Sequence, residues 1–209
     1  MNAISQNPKC NPASRVSARN NPFAVQRTDA VPFDFSETNF ANVDSFYHHV
    51  RQFNFRGAIL GKHGRGKTTL LCDLHSFLRD QGINSELVFL PRERQLQRES
   101  IDEFVQRGLG GSIILVDGIE RASFLARQRV LSHSKQYGGF IATTHRTSRL
   151  RTLLHCRTSQ QTLIATLDSL GLNQPNIATT ALPLLSKHGG NIRLVLRELY
   201  DQFAEGRFS

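Results

Sequence analysis

The sequence predicts an α/β fold built on a parallel sheet, and three observations carry that expectation. Short apolar runs rich in β-branched or aromatic residues recur at Gly57–Leu60, Leu87–Leu90, Ile113–Val116 and Phe140–Thr143. A helix-length segment separates each run from the next, and such alternation implies crossover units with parallel strands. The first of these segments, Gly66–Arg79, sets Leu70, Leu71, Leu74, Phe77 and Leu78 on one face at helical spacing and stops at Gly82.

Residues 1–32 hold four of the seven prolines, five asparagines and a single acid, Asp29. So few apolar side chains cannot offset the entropy of ordering, which predicts a disordered tail over 1–32. A transit peptide is the weaker reading, because no amphipathic helix is evident. Asn21-Pro22-Phe23 reads as a linear docking motif or as a chance triplet. Aromatic residues then gather from Phe33 to Phe55, and Val43–Phe53 suits a helix beside the first strand. Phe33 and Phe35 are plain core residues or part of an adenine pocket, since a base offers a flat apolar face. At the other end, Asn191 suits the N-cap of an amphipathic helix carrying Ile192, Val195, Leu196, Leu199 and Phe203. The expected organisation is a tail over 1–32, an α/β domain over 33–158 and a small C-terminal helical lid over 159–209.

The 209 residues carry a formal charge of +9, 39% hydrophobic residues and three cysteines without CxxC spacing. That cysteine pattern supports neither a disulfide framework nor zinc, and fits a reducing, cytoplasmic setting. No apolar run approaches the length that spans a bilayer, so no membrane partner is expected. The positive charge favours anionic partners without choosing among them.

The most informative segment is Gly61-Lys62-His63-Gly64-Arg65-Gly66-Lys67-Thr68-Thr69, which satisfies G-x-x-x-x-G-K-[ST] after a strand and at a helix start. Glycines let backbone N–H groups converge on phosphate oxygens, and the helix start aims its unpaired N–H groups at the same anion. Lys67 would supply charge to the β and γ phosphates of a nucleotide, and the Thr68 hydroxyl a hard oxygen for Mg2+. Asp117 closes the apolar run Ile113–Val116 and would hold the same metal, through water. Thr143, Thr144 and His145 end the next run and are candidates to sense the γ-phosphate; a structural hydrogen bond is an equal reading for His145. Arg193 and Arg197 share one face of the terminal helix and either reach the nucleotide or stay solvated.

With these residues in place, the sequence resembles the additional-strand branch of P-loop ATPases, and most closely the AAA+ type, from about Phe33 onward. The resemblance implies a three-layer α/β/α P-loop NTPase that binds ATP and Mg2+. Gly61-x-x-Gly64-x-Gly66-Lys67-Thr68 is similar to the AAA+ Walker A, and Ser112–Glu120 to Walker B. Thr143 or Thr144 falls on the sensor 1 strand, and Gly190-Asn191-Ile192-Arg193 is similar to the sensor 2 helix start. His145 also resembles the switch histidine of ABC ATPases, but no LSGGQ-type signature follows. Walker B of these families carries Asp-Glu, whereas Gly118 follows Asp117 here, so binding is better supported than hydrolysis. Glu120 through a shifted loop, or Glu93, is the candidate carboxylate for activating water.

No acid occurs between Glu120 and Asp168, while Arg121, Arg127, Arg129, Lys135, Arg146, Arg149, Arg151 and Arg157 all fall there. A basic face over 121–157 is expected, for nucleic acid, for an acidic protein surface, or as a source of an arginine finger to a second copy in a homo-oligomer. Three functions compete: an ATPase or ATP switch whose lid moves a partner interface, a non-hydrolysing nucleic-acid adaptor, and a small kinase drawing on Arg92, Arg94 and Arg98. No guanine-reading NKxD segment is present, which favours adenine over guanine.

Overall fold

The computed structural model describes residues 21–91, 93, 99, 102, 110–147, 149–172 and 174–208. Five strands form one sheet: β1 (Arg56–Leu60), β2 (Ser85–Phe89), β3 (Ile113–Asp117), β4 (Gly139–Thr144) and β5 (Thr152–His155). Their order is β2-β3-β4-β1-β5, and every pair is parallel. β4 therefore lies between β1 and β3, in register Ala58 to Ala142 on one side and Leu115 to Ile141 on the other.

Burial explains which strands are central. All five residues of β3 and all six of β4 are buried, as expected of strands covered on both faces. Alternate residues feed two different cores. Ile59, Ile113, Leu115 and Ile141 pack with helices α2 (Val43–Gln52) and α3 (Lys67–Asp80), while Ile114, Val116, Phe140 and Ala142 pack with Val130 of α4 (Phe124–His133). The period of two along each strand thus places helices on opposite faces.

A third core is helical. It joins Leu163 and Leu167 of α5 (Gln160–Ser169), Ile177, Ala181, Leu184 and Leu185 of α6 (Pro175–Lys187), and Val195, Leu196 and Leu199 of α7 (Ile192–Ala204). Side chains cap two of these helices: Ser159 accepts from Thr162 N, and Asn191 accepts from Leu194 N at 3.2 Å. Each such cap stabilises by about 1 kcal/mol.

The segment 21–32 differs from the expected tail. Phe23 is buried in the helical core against Phe203 and Phe208, with ring centroids 6.3 and 6.4 Å away, and Asn21 donates from Nδ2 to Tyr200 O at 3.0 Å. A short helix, α1 (Val25–Thr28), follows. One buried aromatic and one satisfied amide outweigh a composition that otherwise favours disorder. The same burial removes Asn21-Pro22-Phe23 as an accessible docking motif, since Asn21 is 1% and Phe23 3% exposed. Residues 1–20 of the expected tail lie outside the described residues. Among the described residues, no helix is long and apolar enough to cross a membrane.

Candidate functional site

A cavity of about 1160 Å3 opens where β1, β3 and β4 end, and is closed over by the segment 23–34 and by α7. Such an opening beyond the carboxyl ends of parallel strands is the usual ligand position in open α/β sheets.

The loop between β1 and α3 forms its floor. Gly64 has φ +67°, and a Cβ there would lie 1.7 Å from Asn191 Oδ1, so residue type is fixed by both backbone and neighbour. Ile192 N also donates to Gly64 O at 3.2 Å, and Arg65 Nη2 to Gly189 O at 3.2 Å, which ties the loop to the start of α7. The Phe33 ring lies against Gly66, and Phe33 N donates to Asp73 Oδ2 of α3 at 2.7 Å. Burial pushes the Asp73 carboxyl upward, partly opposed by that hydrogen bond.

Lys67 opens α3 and is 7% exposed; its Nζ donates to Lys62 O at 2.9 Å and meets His145 Nδ1 at 3.1 Å. Desolvation lowers its ammonium below the ordinary lysine value, and the charges of Glu120 and Asp117 oppose that shift. Thr68 Oγ1 donates to the Asp117 carboxylate, at 3.1 and 3.2 Å from its two oxygens. Asp117 is oriented from its other side by Thr143, whose hydroxyl donates to Oδ1 at 2.7 Å while accepting from Gly118 N at 2.8 Å. Two hard oxygens held this way fit Mg2+, which takes few protein ligands and keeps waters or phosphates for the rest. Cys156 packs beneath this loop, where burial pushes its thiol up to about 12.

Gly118 redirects the chain. Its φ of +78° ends β3 and starts the tight 3-10 turn Ile119–Arg121, which returns the Glu120 side chain to the cavity. Glu120 Oε1 lies 2.7 Å from His145 Nε2, and Oε2 is buried without a hydrogen-bond partner. Such an oxygen is available to a water molecule. His145 Nδ1 is also 2.9 Å from Gly61 O, and the His145 ring packs on His63 at 3.7 Å between centroids.

No protein-family model and no curated protein matches this chain.

His63, Gly64, Arg65, Gly66, Lys67, Thr68, Thr69, Asp117, Glu120, His145 and Arg193 all line the one cavity, as do Arg197 and Phe33. Other residues of the sequence reading do not: Gly61, Lys62, Thr144, Glu93, and Phe35, which packs against the core beside Phe33. Gly61 is buried beneath the loop, and Lys62 lines a second cleft instead. Thr144 faces away as well: its hydroxyl donates to Arg146 O at 3.1 Å, and Thr143 occupies the position beside Asp117. Alternation along β4 decides between the two threonines, and sequence alone does not set its phase. Glu93 is exposed and lines neither cavity. Arg92, Arg94 and Arg98 lie outside the described residues.

The basic span 121–157 does not form one face. Arg121 donates to Leu90 O, Arg129 pairs with Asp102, Arg151 covers the Phe53 ring at 4.3 Å, and Arg157 lines the main cavity. Arg127, Arg146 and Arg149 line the second cleft. Sequence reasoning missed the contribution of 23–32 to the cavity wall, for which Phe23 was the available signal.

Proposed function

We propose that this chain binds ATP with Mg2+ at the Gly61–Thr69 loop and hydrolyses it, in the manner of a P-loop ATPase of the additional-strand branch. The observation that carries the reading is the convergence of Lys67, the Thr68–Asp117 pair and the unpartnered Glu120 Oε2 on a single cavity. The position of β4 between β1 and β3 supports the same branch.

Each residue then has a task. Loop N–H groups and the start of α3 receive the phosphates, with Lys67 supplying charge. Thr68 and Asp117 would hold the magnesium ion, which when bound neutralises charge on the terminal phosphates. Glu120 Oε2 orients the attacking water and takes its proton, while His145 fixes the carboxylate through Oε1. Arg193 and Arg197, carried on α7, reach the terminal phosphates, and Phe33 with the 23–32 segment covers the base. Nucleotide would then bear on both the loop and α7, giving a nucleotide-dependent lid.

Magnesium-dependent phosphate release is the test. Lys67→Ala is expected to abolish nucleotide binding, and Glu120→Gln to leave binding intact while slowing release about a hundredfold or more. Ordinary ATP affinity in Lys67→Ala refutes the site. A non-hydrolysing adaptor is the second reading, favoured by the 2.7 Å hold of His145 on Glu120; it predicts tight ATP binding with no phosphate release in parent or variant.

A further inference from the structure

A second cleft, about 940 Å3, backs onto the main cavity, and the two share His63, Glu120, His145 and Asn191 as a common wall. Lys62, Arg127, Arg146 and Arg149 line it, and no carboxylate among the described residues pairs with any of them. Its carboxylate is Glu120, already engaged by His145. At its edge Phe124 is 62% exposed, with the Arg127 guanidinium 6.0 Å from the ring centroid.

An exposed aromatic ring beside unpaired cations matches one chemistry closely. Single-stranded nucleic acid offers phosphates at regular spacing and bases free to stack, and such surfaces combine cationic grooves with aromatic platforms. An acidic peptide offers carboxylates to the arginines, but covers the Phe124 ring only where its sequence also supplies an apolar side chain at that spot, whereas every nucleotide carries a base that can stack. A duplex keeps its bases paired and unavailable to Phe124. A second copy of this chain carries the same formal charge of +9 and would bring repulsion to the cleft. We propose that this cleft is a groove for single-stranded nucleic acid, with Phe124 as the stacking platform. The shared wall adds a consequence that rests on the ATPase reading: a phosphate beside His145 competes with Glu120 Oε1 for Nε2, releasing the carboxylate that this contact positions and lowering turnover.

The test uses the full chain with labelled oligothymidylate and oligouridylate of about 20 nucleotides. Four cations should give a slope of log affinity against log salt near about −3, and Arg127→Gln should make it shallower by about 0.7. Phe124→Ala should weaken binding about fivefold or more without changing that slope. Neither residue lines the main cavity, so both variants should keep the parental melting temperature and ATP affinity. The proposal is overturned if neither strand binds at low salt, if binding ignores both substitutions, or if polyglutamate or duplex DNA competes better than the single strand. ATP turnover unchanged by saturating strand refutes the coupling through His145 and leaves the groove standing. Strand binding with no phosphate release under any condition counts against the ATPase reading instead.

Discussion

Replacing Gly64 with alanine should loosen the protein at two places through one added carbon. The new Cβ would sit 1.7 Å from Asn191 Oδ1 and 2.4 Å from its Cγ, far inside any tolerable contact. Asn191 must therefore swing away, and its side chain is the N-cap of α7, accepting from Leu194 N. Losing that cap costs about 1 kcal/mol. The alanine must also hold a φ near +67°, which costs about 1–2 kcal/mol more for a residue with a Cβ. The sum, about 2–3 kcal/mol, lowers the melting temperature of a chain this long by on the order of 5–10 °C. Circular dichroism of the ligand-free protein measures it. A second variant separates the two causes: Asn191→Gly loses only a few tenths of a kcal/mol as a cap and removes the obstacle. Gly64→Ala/Asn191→Gly should consequently melt above Gly64→Ala alone, a non-additivity expected only of residues in contact. A Gly64→Ala protein melting within about 1 °C of the parent, or a double variant melting no higher than the single, refutes the reasoning.

Three further outcomes follow from other contacts. Asp73→Ala strands the buried-side N–H of Phe33 and should cost about 1–3 kcal/mol by denaturant unfolding, whereas Asp73→Asn keeps an acceptor without the desolvated charge and should cost less. Phe23→Ala should cost about 3–5 kcal/mol, because the ring is buried in the helical core; a loss below about 1 kcal/mol would show that 21–32 does not dock. Nucleotide affinity should fall as pH rises through the lowered Lys67 value, since phosphate binding needs the ammonium and burial has already depressed it. Calorimetry in buffers of different ionisation heat should then show proton uptake on binding at alkaline pH, shrinking as the pH falls and the ammonium is already charged in the free protein. For folding the sign is opposite: the depressed ammonium costs stability while charged, so this group's contribution improves as pH rises past its folded value.

The elements legible in the sequence are those whose burial is extreme or whose ends are chemically marked. Ile113–Val116 reads as a strand because a run buried on both faces must be apolar throughout, and Asn191 marks its helix through its own side chain. β5 escapes the same reading: only Leu153 and Leu154 are buried in Thr-Leu-Leu-His, too short for a period to show. The boundary between α5 and α6 does carry marks, Gly171 at φ +74° after α5 and Pro175 in the first turn of α6, whereas Pro183 within α6 runs against helix propensity. At the site, the loop Gly61–Thr69 is readable because its composition is local. The choice of Thr143 over Thr144, the return of Glu120 through the turn at Gly118, and the seating of Asn191 on Gly64 are long-range facts. They depend on strand phase and on segments more than a hundred residues apart in the last case.

The bond from Asn21 to Tyr200 joins positions 179 apart in the chain, with Phe23 seated beside it among helices from the opposite end. On a ribosome, that phenylalanine emerges long before the helices that receive it. The sheet can assemble first from closer pairings, while the aromatic ring has no partner in the helical core until α7 leaves the tunnel. Burial of that ring cannot precede the synthesis of α7, so this part of the helical core closes only once α7 is available.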